Sequence, residues 1–211
     1  MYNHIYNNYV HDGDSFSGRP VMIYTDATGC KNVIENNLLV EDSGIWLYHH
    51  CGLDNESKNN IIHKKNSTFT NSYLWGGCER NKEDPQKYTN HHNVYLLDDV
   101  SNFQTYRSYD LFDENSPTFE NNLYWSYRQD IEDLKHLKMF PMKKNWTEWI
   151  SDGNDKNSKW IDPMFQDPQN GNYNFAPNSP ALEMGIKPII LDQFGVQNKK
   201  KFKYSSKRNF D

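Results

Sequence analysis

Val33-Ile-Glu-Asn36-Asn37-Leu-Leu-Val40 is the stretch on which the fold turns: a pair of asparagines set between two short apolar runs. The unit recurs along the chain as Ile5-Tyr-Asn7-Asn8-Tyr-Val10, Lys58-Asn59-Asn60-Ile-Ile62 and Phe119-Glu-Asn121-Asn122-Leu-Tyr124, with a weaker copy at His92-Asn93-Val-Tyr-Leu96. The second asparagines of these units are 29, 23, 33 and 29 residues apart. A period of this size predicts a solenoid with one coil per repeat and connecting segments of variable length.

The letters fit the physics of such a coil. Each turn is a few short strands whose inward side chains stack on those of the next turn, about 4.8 Å away. Asparagine tolerates the left-handed backbone of a sharp corner, and its amide can hydrogen-bond to the same amide one coil on. The asparagine pairs are therefore read as corners. A low-complexity origin does not account for them, because they sit beside Ile, Val and Leu at regular intervals.

Composition sets the outer limits. The 211 residues fit one domain with a substantial core. Only 36% of them are hydrophobic but 15% are aromatic, which argues against disorder and for a polar surface rich in rings. A net charge of -5 disfavours nucleic acid as a partner. No apolar run approaches the roughly 20 residues a membrane span needs, and the first residues do not show the charged-then-apolar pattern of a signal segment. Cys30, Cys51 and Cys78 suggest neither a zinc site nor a disulfide framework. The sequons at Asn55, Asn66 and Asn145 would permit glycosylation of a secreted protein.

Three parts are expected: coils over 1–130, a segment over 131–196 that covers and ends the same domain, and a basic, disordered tail over 197–211. Within the second part, Leu134, Leu137, Phe140, Trp146 and Trp149 predict a helix or long loop over 131–150. The segment from Trp160 to Gly195 reads as extended pieces. Met1-Tyr-Asn-His-Ile5 already belongs to a coil with no polar cap before it, so further coils are expected upstream in a longer protein.

Three stretches carry a family resemblance. Ile23-Tyr-Thr-Asp26-Ala-Thr-Gly29 precedes Asn36-Asn37, and Tyr48-His-His50-Cys-Gly52 precedes Asn59-Asn60. The ending runs from Asn121-Asn122-Leu-Tyr-Trp125 through Trp160-Ile-Asp162-Pro-Met-Phe165 and Asn172-Tyr-Asn-Phe175 to Ser179-Pro-Ala-Leu182-Glu-Met-Gly185. Together they resemble the right-handed parallel β-helix proteins related to pectate lyases and β-helix glycoside hydrolases, nearest the subgroup with an α-L-fucosidase and a xylanase. In the second stretch, Tyr48 and Cys51 stand where the family pattern has a His and a Tyr. The resemblance implies an all-β, single-stranded solenoid that is secreted and monomeric. It also implies a polysaccharide or oligosaccharide substrate and no cofactor.

Strand alternation places the chemistry. In Val21-Met-Ile-Tyr-Thr-Asp26, residues Val21, Ile23 and Thr25 are predicted inside and Met22, Tyr24 and Asp26 outside. One coil later, Ile45 and Leu47 fall inside and Trp46, Tyr48 and His50 outside, with His49 inward as a core or supporting histidine. The offset is 24 residues for both Tyr24 to Tyr48 and Asp26 to His50, which makes these pairs rung neighbours. Rings on a rigid sheet stack on the apolar faces of pyranoses, while Asp and His take hydroxyls or move protons.

The next coil adds Glu79 and Arg80 beside Gly76-Gly77. Two rungs span about 9.6 Å, at the upper end of the roughly 6.5–9.5 Å an inverting glycosidase leaves for water. The candidate catalytic set is then Asp26 and Glu79 as the carboxylate pair with His50 tuning Asp26. Tyr24, Trp46, Tyr48 and Arg80 would hold substrate, and Asp12 or Asp14 is an alternative second carboxylate. Two other readings stay open: a polysaccharide lyase, which would bring in calcium, and a non-catalytic glycan-binding or degenerate fragment.

Overall fold

A computed structural model describes residues 3–11, 21–25, 31–41, 45–49, 54–65, 73–75, 88–98, 118–127 and 136–194. Strands come in successive groups: β1 (Asn3–Tyr6), β2 (Tyr9–His11) and β3 (Val21–Thr25), then β4 (Asn32–Glu35), β5 (Leu38–Glu41) and β6 (Ile45–His49). A third group is β7 (Asn55–Lys58), β8 (Ile61–Lys64) and β9 (Tyr73–Trp75). Two further pairs follow, β10 (Tyr88–His91) with β11 (Val94–Leu97) and β12 (Thr118–Glu120) with β13 (Leu123–Ser126), and then β14 (Lys159–Trp160). The chain is mostly β with few helices, and its three larger sheets are parallel. Their strand orders are β1-β4-β7-β10-β12, β14-β13-β11-β8-β5-β2 and β3-β6-β9, so each group gives one strand to a sheet.

The asparagine pairs divide two jobs between them. The first residue of each unit turns the corner in the left-handed region: Asn7 at φ 53°, Asn36 at 55°, Asn59 at 50°, His92 at 54° and Asn121 at 53°. The second residue points inward and builds a ladder. Oδ1 of Asn37, Asn60, Asn93 and Asn122 each accepts both the main-chain N–H and the side-chain amide of the preceding member, at 2.9–3.3 Å. The remaining amide proton goes to a strand carbonyl, for example from Asn60 to Ile34 O at 3.0 Å. The ladder thereby pairs the main-chain N–H and the side-chain amide at these buried corners, as a parallel stack needs.

A second, shorter ladder runs through Asn3, Asn32 and Asn55, each four residues before a corner. Sequence reading missed it. Asn55 is 1% and Asn145 7% exposed, so in this fold both sequon asparagines are buried.

The apolar runs after each corner bury both faces of the second sheet. Ile34, Leu39, Leu47, Ile62, Tyr95 and Tyr124 fill one core, while Leu38, Ile61, Val94, Leu96 and Leu123 meet Tyr173, Phe175, Ala181, Ile186 and Ile189 of the C-terminal segment in another. Burial on both sides explains why Val94-Tyr-Leu-Leu97 reads as a continuous apolar run. Register stacks Tyr95 on Tyr124, with ring centroids 4.8 Å apart, and Tyr124 on Trp160 at 5.8 Å.

Within 131–150, the structure describes residues from 136 onward. A 3-10 turn over Pro141–Lys143 leads into α1 (Trp146–Ser151), and Met139, Phe140 and Trp149 are buried on the core. Asn145 and Glu148 close a capping box at the start of α1, each side chain accepting the other's main-chain N–H at 2.8 Å. The ending departs from the all-extended expectation. It holds an antiparallel hairpin of β15 (Phe165–Asp167) and β16 (Asn172–Phe175), then a short helix, α2 (Pro180–Glu183). Ser179 caps that helix and Pro180 opens it, a start signal present in the sequence but read there as a turn. The tail over 197–211 and all three cysteines lie outside the described residues.

Candidate functional site

The sheet formed by β3, β6 and β9 carries one of the two predicted rung pairs, Tyr24 with Tyr48; the other, Asp26 with His50, lies outside the described residues. Ile23 is in register with Leu47, Tyr24 with Tyr48 and Thr25 with His49. Alternation along β3 is as the sequence predicts at its centre, with Ile23 at 7% and Thr25 at 5% exposure while Tyr24 stands out at 48%. Leu47 is fully buried on the same inner side. Met22 differs from the outward assignment: it is partly buried and packs against the core. On β9, Leu74 is in register with Tyr48 and Trp75 with His49.

Trp46 and Tyr48 lie on β6, but their side chains are outside the described set. Asp26, His50, Glu79 and Arg80, with the alternatives Asp12 and Asp14, also lie outside the described residues. Asp26 directly follows the last residue of β3, and His50 directly follows the last residue of β6.

A second polar group lies on the outward face of the first sheet. Register aligns Tyr6, Glu35, Lys58, His91 and Glu120 along one row. Glu56 bridges two of its neighbours: one carboxylate oxygen accepts from His91 Nε2 at 2.8 Å and the other from Lys58 Nζ at 2.9 Å. Burial raises the Glu56 carboxyl, but the hydrogen bonds from His91 and Lys58 outweigh it and hold the group below its ordinary value. His91 Nδ1 faces His92 Nδ1 at 2.8 Å, and the rings meet nearly edge to face. Partial burial, then the adjacent His91, push His92 below the usual histidine range, against an upward pull from Glu120.

Beside this pair is a cleft of about 250 Å³ lined by Glu35, Lys58, Asn59, His91, His92, Gly185 and Lys187. Its far wall is tied down by Asn59, which accepts the Lys187 N–H at 2.6 Å and donates to the Lys187 carbonyl at 3.2 Å. Sequence reading passed over this cluster. The available signal was a histidine at the corner position that holds asparagine in the other four units.

A third group is structural. His63 is fully buried, with Nε2 2.9 Å from Asp98 Oδ1 and Nδ1 2.7 Å from the Tyr173 hydroxyl. A proton on Nε2 donated to Asp98 leaves Nδ1 to accept the tyrosine O–H. The ring has no open edge, so it fastens β16 to β8. Nearby, partial burial and the carboxylates of Asp162, Asp98 and Asp167 push the half-exposed Tyr127 phenol up to about 12.

Among the described residues, no group of three or more His, Cys, Asp or Glu is placed to hold a metal, and no helix is long and apolar enough to cross a membrane. Compared with protein-family models, curated proteins and solved structures, the chain matches none.

Proposed function

We propose that the chain winds as a right-handed parallel β-helix and is a secreted, carbohydrate-active protein that hydrolyses glycosidic bonds of a polysaccharide or oligosaccharide. The parallel sheets, each fed by successive strand groups, support the winding, and parallel crossovers are right-handed in about 98% of cases. The observation that carries the functional reading is the register of Tyr24 with Tyr48, with Tyr24 half exposed on a parallel sheet. Two rings one rung apart offer adjacent stacking positions for neighbouring sugars. Asp26 and His50 each follow residues that are themselves in register, Thr25 and His49, which supports placing both at the end of this aromatic row.

In the proposed mechanism one carboxyl of the Asp26–Glu79 pair gives its proton to the leaving glycosidic oxygen. The other takes a proton from water as that water attacks the anomeric carbon, so the bond to the leaving group breaks as the bond to water forms. His50 tunes Asp26 and Arg80 orients the substrate or Glu79. The chemistry needs no cofactor.

A panel of plant and bacterial polysaccharides, followed by reducing-end release, tests the reading. Turnover that disappears in Asp26→Asn and Glu79→Gln supports hydrolysis. A product with new ultraviolet absorption from uronate polymers would replace it with a lyase. Glycan binding without turnover, unchanged by either substitution, would leave a binding module.

A further inference from the structure

We propose that His91 and His92 bind a late first-row divalent transition ion, such as Cu²⁺ or Ni²⁺, through their facing Nδ1 atoms at the edge of the cleft beside Asn59 and Lys187. The site lies on a different sheet from the aromatic row and does not depend on the carbohydrate reading.

The coil itself has no use for these histidines. Position 92 is a left-handed corner, and asparagine fills the equivalent corner at 7, 36, 59 and 121 with φ between 50° and 55°. Position 91 is an outward rung that elsewhere holds Tyr6, Glu35, Lys58 and Glu120, so no packing rule selects an imidazole there. The one departure from the corner pattern, His92, and its neighbour His91 meet at one point in space.

Their geometry suits a metal. Two nitrogens 2.8 Å apart, each about 2.0–2.1 Å from an ion, subtend an angle of roughly 85°. That is close to the cis angle of tetragonal coordination, which Cu²⁺ and Ni²⁺ favour, and well below the tetrahedral angle of a structural zinc site. Glu56 accepts a hydrogen bond from His91 Nε2 at 2.8 Å. A proton held there fixes the tautomer that leaves Nδ1 with its lone pair, the usual carboxylate support behind a metal-binding imidazole.

In the metal-free chain the short contact is one N–H···N hydrogen bond. Binding needs His92 to carry its proton on Nε2 instead, which costs no net proton, and both rings to turn so that their Nδ1 lone pairs aim at the ion rather than at each other. Gly185 (φ 81°) leaves that edge open: a Cβ there would lie 3.8 Å from His92 Nε2. Glu35, Glu56 and Glu120 outnumber Lys58 and Lys187 around the pair and favour a cation. Only two protein ligands are supplied, so water or a small ligand in the cleft completes the coordination.

Titration calorimetry of the full chain with CuCl₂ and NiCl₂, joined to Cu²⁺ electron paramagnetic resonance, tests the proposal. The expected result is one saturable equivalent with nitrogen coordination, weakened at least tenfold in His92→Asn and His91→Gln and about tenfold in Glu56→Gln. His92→Asn installs the residue used at the other four corners, so an unchanged circular dichroism spectrum and melting point show that lost binding is not lost folding. No saturable binding overturns the site. So does one equivalent retained in His92→Asn, including one that is lost only in His50→Asn.

Discussion

Asn60 Oδ1 accepts two hydrogen bonds from a single residue of the previous repeat, the N–H and the side-chain amide of Asn37, both at 3.0 Å. Asn60 then gives its own N–H and amide to Asn93 and a second amide proton to Ile34 O. One fully buried residue thus satisfies polar groups on both neighbouring repeats.

Asn60→Ala strands those partners without water. Leaving a buried donor or acceptor unpaired costs about 1–3 kcal/mol, and more than one is left here, so a loss of about 3 kcal/mol or more is expected in urea unfolding. A change under 1 kcal/mol would mean that the ladder does not bear on stability.

The corner residues behave differently. Asn121 is at φ 53°, and glycine reaches that region without steric penalty, so Asn121→Gly is expected to stay within about 1 kcal/mol of the parent. Asn121→Val forces a β-branched residue into a left-handed backbone and is expected to cost about 1–2 kcal/mol or more. Thermal melts of the two variants side by side make the comparison.

Asp155 ends the ladder, accepting from Asn122, Tyr124 and Ser158. Burial raises its carboxyl above the ordinary 3.8 despite hydrogen bonds that pull it down. A raised carboxyl binds its proton more tightly folded than unfolded, so its contribution to stability is greatest in acid and falls as pH rises through the folded value. Asp155→Asn removes that term. Its stability relative to the parent is therefore expected to improve between about pH 4 and about pH 7, measured by denaturant unfolding across that range. A difference that is flat with pH, or that shrinks, would show that Asp155 is not the buried acid described.

Tyr24→Ala removes one ring from an exposed position without opening the core. Under the carbohydrate reading proposed above, ring stacking worth about 0.5–1.5 kcal/mol corresponds to about a two- to tenfold loss in glycan affinity, with melting unchanged. Affinity electrophoresis on the polysaccharide that the parent binds is a suitable readout.

The repeat was legible because both asparagines of a pair are fixed by backbone physics, one by its left-handed φ and the other by buried hydrogen bonds. The same holds for β3, where alternation follows from one buried and one open face. The Asn3, Asn32 and Asn55 ladder escaped notice because it lacks a doublet, and its constant four-residue offset from the corner shows only once the corner is located. Helix α2 is four residues long, too short for periodicity, and only its Ser-Pro start gave it away. Of the sites, rung pairing of Tyr24 with Tyr48 could be read from a shared offset. The meeting of His91 with Glu56 could not, because it joins residues on separate rungs across 35 positions of sequence.

The second asparagines are 29, 23, 33 and 29 residues apart, yet every rung between them closes with the same pair of bonds. The ladder therefore counts turns, not residues, and a connection can grow or shrink by ten positions without shifting the strands on either side. That makes the segments between strand groups natural insertion points for foreign loops. Such a scaffold could display peptides at a fixed rung spacing while its buried amides keep the frame aligned.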